Sequence, residues 1–209
     1  MIPVEERHSP VSLPVLETFY SVQGEGLNTG KAAFFVRIGG CDLGCRWCDS
    51  KETWHWEPEA WTPVDKLISE ILQSPAHSVV VTGGEPLMYD FSLFTQKCRD
   101  LGLNLFLETS GAHKLTGTWD WICLSPKPQK EPLLDFYSLA NELKVIIYNM
   151  PEDFIQAEKM AEKVGKDCAL LLQPEWSRFK ETGPRVIDYV KNHPRWRISV
   201  QTHKFLHIP

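Results

Sequence analysis

The chain has 209 residues, 43% of them apolar, and a formal net charge of -5 at pH 7. That is the size of one domain able to bury its own core, and a single domain over residues 1–209 is expected. An acidic chain with dispersed Lys and Arg lacks the field that gathers nucleic acid, no window nears the roughly 20 apolar residues of a membrane span, and MIPVEERHSP lacks the apolar stretch of a signal peptide, so a cytoplasmic protein that binds neither nucleic acid nor membrane is expected.

Residues 33–38 form a short run of aromatic and β-branched residues stopped by Gly39-Gly40, the pattern of a buried strand entering a tight turn. From Thr62 the period changes. Thr62 suits a cap, Pro63 suits the first helical position, and Val64, Leu67, Ile68, Ile71 and Leu72 recur at helical spacing, which predicts an amphipathic helix of about three turns. A strand over 78–81, a helix over 91–101 and a strand over 104–107 follow. The second half predicts strands at 121–124, 143–147, 168–172 and 196–200, with helices over 151–164 and 183–192. Strands that alternate with helices argue for parallel βα units. A complete eight-unit barrel takes about 250 residues, so the expected fold class is α/β, a shortened and partly open parallel βα barrel.

The unusual residues cluster behind these strands: Cys41 to Cys48, Thr82-Gly83-Gly84-Glu85-Pro86, Glu108-Thr109-Ser110-Gly111 and Ser125-Pro126-Lys127. In a parallel barrel all four would open at the C-terminal ends of the strands, where ligands bind.

Three of the six cysteines, Cys41, Cys45 and Cys48, fall in one loop as C-x3-C-x2-C, a distribution that favours a metal site in a reducing compartment over disulfides. Three thiolates on a compact loop suit a 4Fe–4S cluster, which then keeps one iron open to chelate a cofactor. The alternative is a structural zinc knuckle, but structural zinc takes four ligands and no His or Cys at finger-like spacing completes the set. Cys98, Cys123 and Cys168 lie in apolar or helical surroundings and fit core packing.

The cysteine spacing, Trp47 before the last cysteine, and the later glycine pair resemble the radical S-adenosylmethionine superfamily, with its modified TIM-barrel core. The resemblance implies an open iron bound by the methionine moiety of S-adenosylmethionine. It further implies cofactor contacts at Trp47, at Gly84 of the Gly-Gly-Glu-Pro stretch, and at Ser125, Pro126 and Lys127, with Gln173 a weaker candidate. Val22-Gln23-Gly24-Glu25-Gly26 near one end and Gln201-Thr202-His203-Lys204 near the other narrow the choice: with Arg37, Asp49-Ser50 and the closing Pro209, they look like the 7-carboxy-7-deazaguanine synthases.

What this second resemblance implies is a lyase of 7-deazapurine biosynthesis, such as the queuosine route. Its substrate would be 6-carboxy-5,6,7,8-tetrahydropterin, converted by radical hydrogen abstraction at C6, ring contraction and loss of ammonia. Val22, Gln23, Gly24 and Glu25 would meet the pterin edge, and Arg37 the substrate carboxylate through its planar fork. Thr82, His203 and the terminal carboxylate of Pro209 are further substrate contacts, Ser50 is the magnesium ligand, and Asp49 has an indirect or loop-stabilising role. An electron donor such as a flavodoxin or ferredoxin and a homodimer complete the expectation. Two other readings stay open at this point: a glycyl-radical activase, which carries the same triad but needs a groove for a protein loop, and a non-catalytic iron–sulfur or zinc module, which leaves the Gly-Gly and Ser-Pro-Lys loops without a purpose.

Overall fold

The computed structural model describes residues 11–54, 61–148 and 150–209. Strands β1 (Ser12–Val22) and β2 (Ala32–Ile38) pair as an antiparallel hairpin, and the short β3 (Trp61–Pro63) pairs antiparallel on the far side of β1. β4 (Ser78–Gly83), β5 (Asn104–Thr109), β6 (Trp121–Leu124), β7 (Glu142–Ile147), β8 (Ala169–Pro174) and β9 (Trp196–Ile198) then follow β2 across the sheet, each parallel to its neighbour. Among the described residues the sheet has nine strands in the order β3-β1-β2-β4-β5-β6-β7-β8-β9, with β3 and β9 as edges, so the barrel is open as expected. Among the described residues no helix is long and apolar enough to cross a membrane.

Helices α1 (Val64–Leu72), α2 (Ser92–Asp100), α3 (Leu134–Leu139), α4 (Glu152–Ala161) and α5 (Phe179–Asn192) accompany the strands, and a short α6 (Thr202–Leu206) closes the chain. α1 buries Val64, Leu67 and Ile71, each worth about 1.5–3 kcal/mol of transfer. Their partners include Val36, Ile38, Val79 and Val81 from the outward face of β2 and β4. The inward face alternates with it: Phe35 and Val80 form a separate apolar cluster with Ala33, flanked by Phe19 and Phe106. With a period of two, the next inward residues toward the strand C-termini are Arg37, Thr82 and Glu108. The pleat therefore places a polar layer directly above an apolar one.

The structure departs from the sequence reading at five places. Trp61–Pro63 pairs with β1, and Val64 N bonds Val11 O at 2.9 Å, so Pro63 takes the cap position and no side chain caps α1. α5 begins at Phe179, with Gly183 and Pro184 inside it rather than at its start. β1 is an additional antiparallel strand whose register slips between Val15 and Glu17, which breaks its alternation. α3 and α6, at six and five residues, are too short for periodicity to reveal.

Candidate active site

The cysteine loop leaves β2 through Gly39-Gly40. Gly40 O receives Glu85 N at 3.0 Å, and Gly84 N bonds Ile38 O at 2.8 Å. A Cβ on Gly84 would stand 2.0 Å from Gly40 O, so glycine is required here because two backbones meet. Glu85 is buried, and its carboxylate accepts from Leu87 N at 3.2 Å, Thr109 Oγ1 at 2.6 Å, Ser110 N at 2.9 Å and Ser110 Oγ at 2.5 Å. The loops after β2, β4 and β5 thus become one bonded rim.

Cys41, Cys45 and Cys48 are free thiols that share a small apolar cluster with Leu43 and Ala112. Cys48 N bonds Cys45 O at 3.0 Å, and Gly44 turns the loop with φ +60°. Burial raises the Cys41 thiol and pushes Cys45 up to about 11, so both are protonated near neutrality until a metal centre takes the proton's place. Three thiols on one short loop, gathered in one apolar cluster that among the described residues holds no fourth Cys, are a donor set that fits a 4Fe–4S cluster.

A hydrogen-bonded wall lines the same cleft. Lys144 Nζ donates to Glu25 Oε2 at 2.6 Å and to Glu108 Oε2 at 2.9 Å. Gln201 Nε2 donates to both Glu25 Oε1 at 2.8 Å and Asp49 Oδ2 at 2.7 Å, and Lys204 Nζ reaches Asp49 Oδ2 at 2.6 Å. Gln23 Nε2 donates to Glu108 Oε1 at 3.2 Å. Burial would raise Glu25, but the Lys144 ammonium and the Gln201 amide bring it down to about 2. Glu108 goes the other way: burial raises it, Glu142 and Glu25 add to the rise, and Lys144 only partly offsets it. Burial also lowers His203, against the pull of Glu25.

One cleft of about 410 Å³ collects these groups. It is lined by Cys41, Cys45 and Cys48, by Trp47, Gly84, Ser125, Lys127 and Gln173, by Val22, Gln23, Gly24, Glu25, Arg37, Thr82, His203 and Pro209, and by Ser50. Pro126 is buried and does not line it. Trp47 stacks on Tyr148 at 5.3 Å. Lys127 Nζ folds back on Ser125 O and Oγ at 2.6 and 2.7 Å. Gln173 Oε1 receives Ser199 Oγ at 2.7 Å, and Ser199 in turn receives Gly26 N at 3.0 Å. Arg37, level with Thr82 in the sheet, lies over the Phe19 ring, pairs with Glu17 at 2.6 Å and reaches Ser50 Oγ at 3.5 Å. A Cβ on Gly24 would stand 2.2 Å from His203 Nδ1, so this glycine makes room for the imidazole. Ser21 Oγ donates to Pro209 O at 3.2 Å.

Motif reasoning misses Lys144, and it gives no role to Glu108, Glu85 and Gln201, although each falls within a stretch it singles out. The available signal is a lone ammonium inside the apolar strand Glu142–Ile147, which a buried strand does not carry without partners. Among the described residues, Glu108, Cys123 and Glu142 form the one His/Cys/Asp/Glu group tight enough for a metal ion, and the Lys144 ammonium already bonds Glu108 there.

The model of the Radical SAM superfamily matches residues 35–123. With the open parallel sheet and the triad-bearing cleft, this defines a radical SAM enzyme, whose chemistry uses a 4Fe–4S cluster and S-adenosylmethionine. Two relatives named 7-carboxy-7-deazaguanine synthase are similar over nearly the whole length: one from Flavobacterium psychrophilum at 52% identity and one from Synechocystis at 48%, each covering 94% of this chain and 93% of the relative. The crystal structure of QueE from Escherichia coli is similar with a TM-score of 0.81 and 29% identity, covering 91% of this chain and 94% of that one. The chain belongs to the 7-carboxy-7-deazaguanine synthase family. The glycyl-radical-activase reading and the non-catalytic module reading end here.

Proposed function

We propose that this protein converts 6-carboxy-5,6,7,8-tetrahydropterin to 7-carboxy-7-deazaguanine with loss of ammonia, as one domain over residues 1–209. The observation that carries the reading is the single cleft in which the cysteine loop, the Gln23–Glu25 stretch and the His203 helix meet. Cys41, Cys45 and Cys48 would hold a 4Fe–4S cluster, which when bound would supply the electron for reductive cleavage of S-adenosylmethionine.

The protein's own work is to bind, orient and exclude. Gly84, Ser125, Lys127, Trp47 and Gln173 frame the cofactor. Val22, Gln23, Gly24 and Glu25 accept the donor edge of the pterin, and Arg37, poised beside Ser50, turns to the substrate carboxylate. Thr82, His203 and Pro209 close the pocket. Ser50 would offer one oxygen to Mg2+, which favours oxygen ligands and keeps waters. A flavodoxin or ferredoxin supplies the electron, and by resemblance the protein works as a homodimer in the reducing cytoplasm, where its thiols stay free. The test is an oxygen-free assay with the carboxypterin, dithionite, S-adenosylmethionine and Mg2+. Ammonia release and the deazaguanine chromophore are expected together; 5'-deoxyadenosine formation that ignores the pterin overturns the assignment.

A further inference from the structure

We propose that Lys144 is a positioning residue for pterin recognition: its ammonium holds Glu25 and Glu108 as a fixed pair of hydrogen-bond acceptors facing the cleft. The inference rests on the carboxypterin reading above and deepens it. The three residues come from separate pieces of chain, Glu25 from the loop between β1 and β2, Glu108 from the end of β5 and Lys144 from β7. The Lys144 side chain is 4% exposed and bonds both carboxylates, at 2.6 and 2.9 Å. The other carboxylate oxygens take neutral amides, Gln201 on Glu25 and Gln23 on Glu108. Each Glu25 oxygen keeps a second lone pair, and Glu108, which the Cys123 thiol also bonds, keeps one, so an N–H edge can be accepted without displacing these partners.

The surrounding charges explain why an ammonium is needed. Glu142 of β7, Cys123 of β6 and Lys127 of the loop after β6 also act on Lys144 or are acted on by it. His203 of α6 acts on Glu25, and Glu25 on Asp49 of the cysteine loop. Without Lys144, Glu25, Glu108 and Glu142 would face one another in a buried site, and buried like charges favour protonation. A protonated carboxyl turns one oxygen from acceptor into donor, which opposes a substrate edge that itself donates. As the site stands, Glu25 is ionised throughout the neutral range.

The test compares wild type, Lys144→Met and Lys144→Arg, all reconstituted anaerobically, for equilibrium binding of the carboxypterin and for KM between about pH 6 and about pH 9. Iron content reports that each variant is folded and loaded. For Lys144→Met, Kd and KM are expected to rise by about 30-fold at the acid end, the loss when one partner of a buried charge pair is truncated. The defect shrinks as pH rises and the carboxylates ionise, while kcat moves less than KM, and Lys144→Arg recovers part of the affinity. If Lys144→Met fails to load, the double variant Lys144→Met/Glu108→Gln, which removes both charges together, is used instead and must also bind weakly. Wild-type affinity in any variant lacking the ammonium, or a defect of equal size at every pH, overturns the role of Lys144 alone. Failure of wild type itself to bind the carboxypterin overturns the parent reading, and this inference with it.

Discussion

On the cysteine-loop side of the cleft, three thiols sit in an apolar pocket with Leu43 and Ala112, and Cys45 Sγ reaches only as far as Gln129 Oε1 at 3.6 Å. Elsewhere in the same cleft, Glu25, Glu108, Lys144 and Gln201 are linked by bonds of 2.6 to 2.9 Å. In the first wall burial keeps Cys41 and Cys45 protonated until a metal centre takes their protons; the second is charged and paired beforehand. A site that must generate a radical and then steer it can leave its cluster loop dependent on the metal, because the cluster itself supplies the missing bonds. It cannot do so for recognition, since orientation is lost when acceptors are free to move.

The largest effect should come from the wall that waits for its ligand. Cys48→Ala is expected to remove the iron and bring activity to background, while the metal-free chain changes in unfolding free energy by less than about 1 kcal/mol. Iron analysis, visible absorbance and urea unfolding measure these together. A large loss of metal-free stability would mean that the loop is already ordered by its own contacts. Next comes the rim that joins the two walls. Gly84→Ala places a methyl group 2.0 Å from Gly40 O. Backbone must move to relieve it, so a cost of about 1–3 kcal/mol is expected, together with weakened S-adenosylmethionine binding. At about 2–4 °C per kcal/mol for a chain of this size, the thermal midpoint resolves it. Wild-type stability would show that the two loops have slack.

The same contrast explains what the sequence discloses. The cysteine loop is legible because its chemistry is written in adjacent residues, and β2, β4 and β7 are legible because buried parallel strands are apolar on both faces. Gln173 is picked out by its place at a strand end, whereas Arg37 and Thr82 come only from the family resemblance. The recognition wall has no such local mark. Glu25 meets Lys144 across 119 positions and Gln201 across 176, and Gln23 meets Glu108 across 85. No spacing rule spans such separations; only the folded sheet brings them together. β1 escapes notice for another reason, since a bulge between Val15 and Glu17 shifts its faces partway along.

Gln201 sharpens the comparison on a smaller scale, because its amide is shared by Glu25 of the recognition wall and Asp49 of the cysteine loop. Gln201→Leu removes two charge-assisted bonds at once. KM for the carboxypterin is expected to rise by about tenfold, in line with about 1.4 kcal/mol, and by more than KM for S-adenosylmethionine. Steady-state kinetics with each substrate varied in turn checks this, and equal rises would mean that the amide serves both walls alike.

The smallest effect divides the recognition wall itself. Glu25 and Glu108 share one ammonium, yet Glu25 is held down at about 2 and Glu108 is raised. The lowered carboxylate contributes stability that is present above its ordinary value of 4.5 and is lost as pH falls toward 2. The raised one has the opposite sign: its ionisation is harder in the folded protein, so it removes stability as pH climbs from 4.5 through its shifted value. Glu25→Gln should therefore flatten the acid limb of the stability curve by on the order of 1–2 kcal/mol, whereas Glu108→Gln should flatten the slope on the neutral side. Urea unfolding followed by circular dichroism at a series of pH values separates the two. His203 and the remaining carboxylates contribute to every curve and largely cancel when each variant is subtracted from wild type. If the two variants give difference curves of the same sign, the ammonium treats the carboxylates equally, and the asymmetry that makes Glu25 the firmer acceptor is absent.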